Sequence, residues 1–307
     1  MAKGFAETSK RRNGKYFSDG AKSPSERAGG ATGRAEERRI VAAAKRGDPA
    51  AMRRLLALVA RPAFRFGMTF CRHREDAEEI AQDVLASLVR ALPRYRGDGT
   101  LSTWAYTVAR HACLRRRRAS KPAASLESWR DENDGEPVET DPASDPHGNA
   151  ERGELRDSVA AALRSLPSVL REAVVLRDVE GLSAREAASV LRITERALKS
   201  RLHRGRAELR ERLKPLVADD AADARSSRCP DVGRAWSLHL EGDVSASVCA
   251  RLEAHVRTCP ECAATCRTMR ATLRQCRLLR TKRLPAGARR ALASATAASR
   301  KAMAARG

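Results

Sequence analysis

The residues best suited to chemistry lie toward the C-terminal end. His255, Cys259 and Cys262 form a His-x3-Cys-x2-Cys run. Spacing of i,i+4 puts His255 and Cys259 on one face of a helix end, and the Cys259-Pro260-Glu261-Cys262 turn offers two thiols at chelating distance. Imidazole and thiolate together suit Zn, and a closed tetrahedral shell needs a fourth ligand. Cys229 is the first choice, with Cys249 and His239 as alternatives. A filled shell leaves no position for a reactive water, so this zinc is structural, not hydrolytic. No HExxH or Walker motif occurs, and the expectation is that the chain is not an enzyme. Six of the eight cysteines fall from Cys229 onward. Cys249, Cys266 and Cys276 exceed the four-ligand set. Such thiols offer a soft site to Cu, Cd or a second Zn as a signal, or else serve as small buried hydrophobes.

A second constellation, in residues 166–213, could read DNA. Leu166, Leu170, Ala173 and Val174 recur at helical spacing until Gly181. Ser183 and Glu186 form a capping box for a short helix carrying Ala187, Ala188, Val190 and Leu191. Thr194 caps a last helix that separates its faces. Ile193, Ala197, Leu198, Leu202, Gly205 and Leu209 lie inward; Arg196, Lys199, Ser200, His203 and Arg204 lie outward. A core stripe behind and hydrogen-bond donors in front is what a recognition helix in a helix-turn-helix requires.

The elements that position these groups must be helical. Aromatic residues make up only 4% of the chain, so Leu, Val and Ala build the core. The 307 residues carry 60 Lys and Arg against 38 Asp and Glu, a net charge of +22, which favours a polyanionic partner. No run of eighteen apolar residues spans a membrane, and no secretory h-region opens the chain, so a cytoplasmic location is expected. Residues 34–119 alternate helical stripes with breaks. One helix starts at Pro49 after Gly47-Asp48 and carries Met52, Leu55, Leu56 and Val59; a separate segment runs through Phe64, Phe66 and Phe70. The helix from Arg74 to Leu92 buries Ala77, Ile80, Val84 and Leu88 and leaves Asp76, Glu79, Gln82 and Asp83 along an outer edge. A Pro- and Gly-containing loop follows, then a helix through Trp104 and Val108 into Arg115, Arg116, Arg117 and Arg118. Arg94, Arg96, Arg115 and Arg116 supply cations for phosphate, while Tyr95 and Trp104 supply flat surface for bases.

These motifs carry a family resemblance. Asp76-Ala77-Glu78-Glu79-Ile80-Ala81-Gln82-Asp83-Val84, Tyr95-Arg96-Gly97-Asp98-Gly99 and Thr103-Trp104-Ala105-Tyr106 resemble region 2 of bacterial sigma-70 factors. Leu166-Pro167, Gly181-Leu182-Ser183, Glu186-Ala187-Ala188 and Lys199-Ser200-Arg201-Leu202-His203-Arg204 resemble region 4, in particular that of the extracytoplasmic-function (ECF) group. Arg192 stands where the family often has Gly and must adopt the backbone that Gly takes. The resemblance implies that Asp76, Glu79, Gln82 and Asp83 bind core RNA polymerase. It further implies that Arg94, Tyr95, Arg96, Trp104, Arg115 and Arg116 grip the melted −10 strand, and that Arg196, Lys199, Ser200, His203 and Arg204 read the −35 element. The cysteine-rich stretch resembles a zinc-binding anti-sigma domain, with Cys229, His255, Cys259 and Cys262 as ligands and His239-Leu240-Glu241-Gly242-Asp243 preceding them. Metal-responsive ECF factors of the CorE-like group share this layout.

The expected fold is all-α: two helical sigma domains joined by a flexible linker, plus a small helical zinc module. The boundaries are a disordered basic arm at 1–33, region 2 at 34–119, an acidic linker at 120–153, region 4 at 154–214, a linker at 215–227, the cysteine-rich domain at 228–280 and a basic, frayed tail at 281–307. The expected function is promoter-directed initiation with core polymerase, under control of the chain's own C-terminal domain by intramolecular contact. The competing expectation is a stand-alone helix-turn-helix regulator with a structural zinc.

Overall fold

Apolar stripes at helical spacing give this chain helices that must pair to bury them. The computed structural model describes residues 17, 32–70, 74–97, 99–119, 146–217, 229–279 and 286–304. Among these residues every regular element is helical. The expected arm (apart from Phe17, Thr32 and Gly33), the linker from 120 to 145 and most of the linker at 215–227 lie outside the described residues.

Four helices make the first unit: α1 (Thr32–Lys45), α2 (Pro49–Phe70), α3 (Arg74–Ala91) and α4 (Leu101–Ala119). The Asp48 carboxylate caps α2 by accepting from the N–H groups of Ala50 and Ala51, at 2.8 and 3.2 Å. The two segments expected on either side of Pro62 are one helix of 22 residues, with Pro62 buried inside it. The buried face continues through Val59, Ala63 and Phe66, so packing holds the helix together across the hydrogen bond that proline cannot make. Gly67 lets α2 and α3 touch: a Cβ there would lie 2.7 Å from Ala77 Cα.

The second unit contains α5 (Pro146–Arg164), α6 (Ser168–Val174), α7 (Ala184–Leu191) and α8 (Glu195–Val217). Helix α5 starts inside the stretch expected as linker. A π-helical turn, Val175–Val179, extends α6, and Gly181, at φ 76°, ends it. The Ser183–Glu186 capping box is present, and Thr194 Oγ1 accepts from Ala197 N–H at 3.1 Å. Arg192 takes the left-handed conformation, φ 55° and ψ 47°, at the C-cap of α7. Where α6 crosses α8, Gly205 removes a clash: a Cβ there would lie 2.7 Å from Val174 Cγ2.

The third unit is α9 (Val232–Leu240), α10 (Ala246–Thr258) and α11 (Pro260–Leu278), around Val232, Trp236, Leu252, Val256, Met269 and Leu273. Its long helix α11 packs on α8 and α5. The segment expected as a frayed tail forms α12 (Ala286–Ala304), which packs along α2 and α3. Ala288 and Ala291 are fully buried there. Small side chains let α12 lie close; a Cβ on Gly287 would collide with the Glu78 side chain.

The first two units share one continuous core. Glu180, at the end of the π turn, accepts from Arg65 Nε of α2 at 2.8 Å and from the Tyr106 hydroxyl of α4. Arg110 donates to Glu172 at 3.3 Å. Burial raises the Tyr106 hydroxyl pKa, and the neighbouring Glu180 carboxylate raises it further.

Candidate metal centre and nucleic-acid interface

Cys229 precedes α9, His255 lies in the last turn of α10, and Cys259 and Cys262 bracket the first turn of α11. Pro260 at the first helical position fixes that turn. The four ligand atoms all lie within 4.8 Å of one another. Cys229 Sγ is 3.7 Å from Cys259 Sγ, and His255 Nε2 is 3.2 Å from Cys262 Sγ. A tetrahedron with Zn–S bonds of about 2.3 Å has sulfur–sulfur edges of about 3.8 Å. The residues therefore fit a zinc ion. Burial, reinforced by the neighbouring Cys259 and Cys229, pushes the Cys262 thiol up to about 12 when no cation is present. A bound divalent ion would supply the positive charge that such a thiolate cluster lacks.

His239 and Cys249, weighed as alternative fourth ligands, stand apart from this cluster and face each other, Nδ1 to Sγ at 3.4 Å. The other two surplus thiols are core atoms. Cys266 is fully buried within the module, and burial raises it to about 12. Cys276 is fully buried in the core that α11 shares with the first two units, and burial raises it further. Neutral buried thiols of this kind are poor nucleophiles and poor ligands. Cys249 is only partly buried.

The outward face of α8 is split. Arg196, Ser200 and Arg204 are exposed. Lys199 instead donates to Asp243 in the α9–α10 turn, at 2.5 Å. His203 is partly buried; burial lowers its pKa, with Asp231 of the module opposing.

Beneath this face lies a buried ionic junction that the pattern reading missed. The Glu241 carboxylate accepts from Arg177 Nε at 2.8 Å and from Arg206 Nη2 at 2.7 Å. Arg206 also donates to both Asp178 oxygens, at 2.9 and 2.7 Å, and to Ser237 Oγ at 3.0 Å. Arg177 caps the end of α9 by donating to the Leu240 carbonyl, at 3.2 Å. The π turn puts Arg177 and Asp178 at this boundary, in line with the habit of such turns to sit at functional places. Burial alone would lower the Arg206 pKa, but Asp178 and Glu241 hold it above its ordinary value. Burial likewise pushes Glu241 up, yet Arg206 and Arg177 together bring it below the ordinary carboxylate range. One signal was available: Arg206 interrupts the inward stripe between Leu202 and Leu209.

In the first unit, Arg94 and Arg96 are exposed, and Tyr95, part-buried, donates its hydroxyl to the Gly99 carbonyl at 2.9 Å. Trp104 packs partly against the core. Arg115 is exposed, whereas Arg116 Nη1 donates to Glu79 at 2.6 Å and lies 4.0 Å from Asp76. Gln82 and Asp83 are exposed on α3. Beside them Glu78 accepts from Arg290 of α12 at 2.6 and 2.7 Å, and its carboxylate faces the N-terminal turn of that helix, a favourable place for negative charge.

A helical pair of units, the second built as a helix-turn-helix, followed by a Cys3His cluster that fits a metal ion, is the layout of a transcription factor with a zinc-finger-like appendage. Residues 51–122 match the family model of sigma-70 region 2, residues 156–209 that of sigma-70 region 4, and residues 229–263 a zinc-finger model. The ECF RNA polymerase sigma-E factor of Escherichia coli K12 is 30% identical over 148 residues, 46% of this chain and 76% of that protein. The RNA polymerase sigma-H factor of Pseudomonas aeruginosa is 29% identical over 193 residues, 60% of this chain and 97% of that protein. A solved sigma factor, RpoE in complex with the anti-sigma factor NepR from Bartonella quintana, is 24% identical, covering 52% of this chain and 94% of that one with a TM-score of 0.39. The chain belongs to the ECF RNA polymerase sigma factors of the sigma-70 family, with a fused anti-sigma-like zinc-finger domain. As a sigma factor it directs core RNA polymerase to promoters. No helix among the described residues is long and apolar enough to cross a membrane.

Proposed function

We propose that this sigma factor holds itself in a closed, inactive form through its own C-terminal domain, and that zinc on Cys229, His255, Cys259 and Cys262 maintains that domain. The observation that carries the reading is Glu241, gripped by Arg177 and Arg206 of region 4 while Asp243 occupies Lys199. A −35 contact by Lys199 has to replace Asp243 with DNA. Helix α12 adds a second restraint, lying along α3 beside the proposed polymerase-binding edge of Asp76, Glu79, Gln82 and Asp83. Regions 2 and 4 are also joined to each other through Glu180, and a promoter read at two separated elements requires that junction to open.

In the open form, Arg196, Lys199, Ser200, His203 and Arg204 contact the −35 element, and Arg94, Tyr95, Arg96, Trp104 and Arg115 take the −10 strand. Arg116 serves there once it leaves Glu79. Cys249, the surplus thiol with access to solvent, is the position for a soft metal signal such as Cu, Cd or a second Zn. The role is one of binding and not of catalysis, and its place is the cytoplasm, where core polymerase works.

Run-off transcription from genomic fragments with purified core polymerase tests the reading. Expected are transcripts from two-part promoters that rise when the zinc domain is disrupted. Absence of any promoter-specific transcript, with or without metals or chelator, overturns it.

A further inference from the structure

One residue of the N-terminal arm is seated inside the zinc module. Phe17 is only 4% exposed and belongs to the same apolar cluster as Trp236, Leu252 and Val256. Its backbone N–H donates to Glu253 of α10 at 2.8 Å, across 236 positions of sequence. Its ring stands edge-on to His239 of α9, with centroids 5.5 Å apart and planes at 69°. His239 in turn faces Cys249. The receptor is thus a pocket between α9 and α10 that grips both an aromatic ring and the main chain.

We propose that this pocket is a docking site for the chain's own N-terminal arm, with Phe17 as its anchor. The rest of the arm is rich in Gly, Ser, Lys and Arg, which bury no core. The arm has three aromatics, Phe5, Tyr16 and Phe17, and Phe17 is the one whose ring is seated in the pocket, where a buried ring carries most of the affinity of a small interface. The arm leads into α1 of region 2 at Thr32, so its docking ties region 2 to the module from the opposite end of the chain to α12. Its effect on transcription rests on the closed-form reading; the docking itself does not.

The test uses the full-length chain and a fluorescent peptide spanning residues 10–24. Anisotropy is measured against wild type, Phe17→Ala and Phe17→Leu chains, each checked for zinc content and helicity. The Phe17→Ala chain, its pocket vacated, is expected to bind the peptide, and wild type about tenfold more weakly or not at all, because its own arm competes. Phe17→Leu keeps apolar volume and loses the ring edge on His239, so it falls between. A peptide carrying Phe17→Ala binds none of them. Binding persists at high salt, as apolar contacts do, whereas attraction of a basic arm to acidic surface fades. Equal binding by wild type and Phe17→Ala chains, equal binding by the two peptides, or loss of binding at high salt overturns the proposal. Transcription by the same chains is scored separately, so failure of docking and failure of autoinhibition give different results.

Discussion

The two places where the C-terminal part meets the sigma regions are built from different materials. At region 4 the heart of the contact is ionic and dry: the Arg206 and Glu241 side chains are each 1% exposed, with the Lys199–Asp243 pair at its wet edge. At region 2 the contact is an alanine face with one ion pair at its rim, whose Arg290 is 62% exposed. Water and salt reach the Arg290–Glu78 pair and not the Arg206–Glu241 pair. A buried pair is costly to assemble but costly to break from one side, because the remaining charge is stranded. A rim pair contributes little and is screened. The difference implies an order of release, with α12 leaving region 2 readily and the region 4 junction holding until the zinc module changes.

Loss of the module's fold should release both contacts most severely. Cys259→Ser should lose zinc and unfold residues 232–278, since structural zinc contributes on the order of 10 kcal/mol to small modules of this kind. Elemental analysis and amide exchange on one preparation check it. Next in size is Glu241→Ala, which leaves the Arg177 charge without its carboxylate and leaves Asp178 as the carboxylate partner of Arg206. It should weaken the junction by about 3 kcal/mol, read as lost protection in α9 while zinc content stays full. The same carboxylate sets a pH dependence. Arg206 and Arg177 outweigh burial and hold its folded pKa below the unfolded value. Its contribution is therefore complete above the ordinary carboxylate range and lost as pH falls through the lowered folded pKa. Acid should open the region 4 junction in wild type and change little in Glu241→Ala.

Smaller effects sharpen the contrast. Arg290→Ala should cost about 0–1 kcal/mol. Exchange in α12 should quicken with added salt in wild type and lose that salt response in the variant. If Arg290→Ala matched Glu241→Ala, the proposed order of release would be wrong. Arg192→Gly, remote from both contacts, should stabilise by about 1 kcal/mol by relieving a left-handed backbone, read as a rise in Tm without change in transcription.

The helix-turn-helix was legible because its signals are local: the Ser183–Glu186 box, Gly181 and the Thr194 cap all follow from neighbours in sequence, whereas the left-handed Arg192 followed from the resemblance, which has Gly there. The grouping of His255, Cys259 and Cys262 was legible for the same local reason; that Cys229, and not Cys249 or His239, joins them needed geometry. The contacts between units were not. Arg177, Arg206 and Glu241 look like ordinary surface charges until the units pack, and their ionic partners lie 28 or more positions away. Likewise α12 has the composition of a solvated basic tail, and only the groove of α2 and α3 makes its alanines a face. The break expected near Pro62 failed because tertiary packing outweighed one missing hydrogen bond.

Restraint of the sigma regions by the fused zinc module is tested most directly by run-off transcription with purified core polymerase, comparing the full-length wild type with full-length Glu241→Lys, both loaded with zinc. Lysine at that position faces Arg177 and Arg206, so the junction should part while the side chains proposed to read DNA remain intact. The account predicts several-fold more promoter-specific transcript from the variant. Equal or lower output from a folded, zinc-replete Glu241→Lys chain would contradict it.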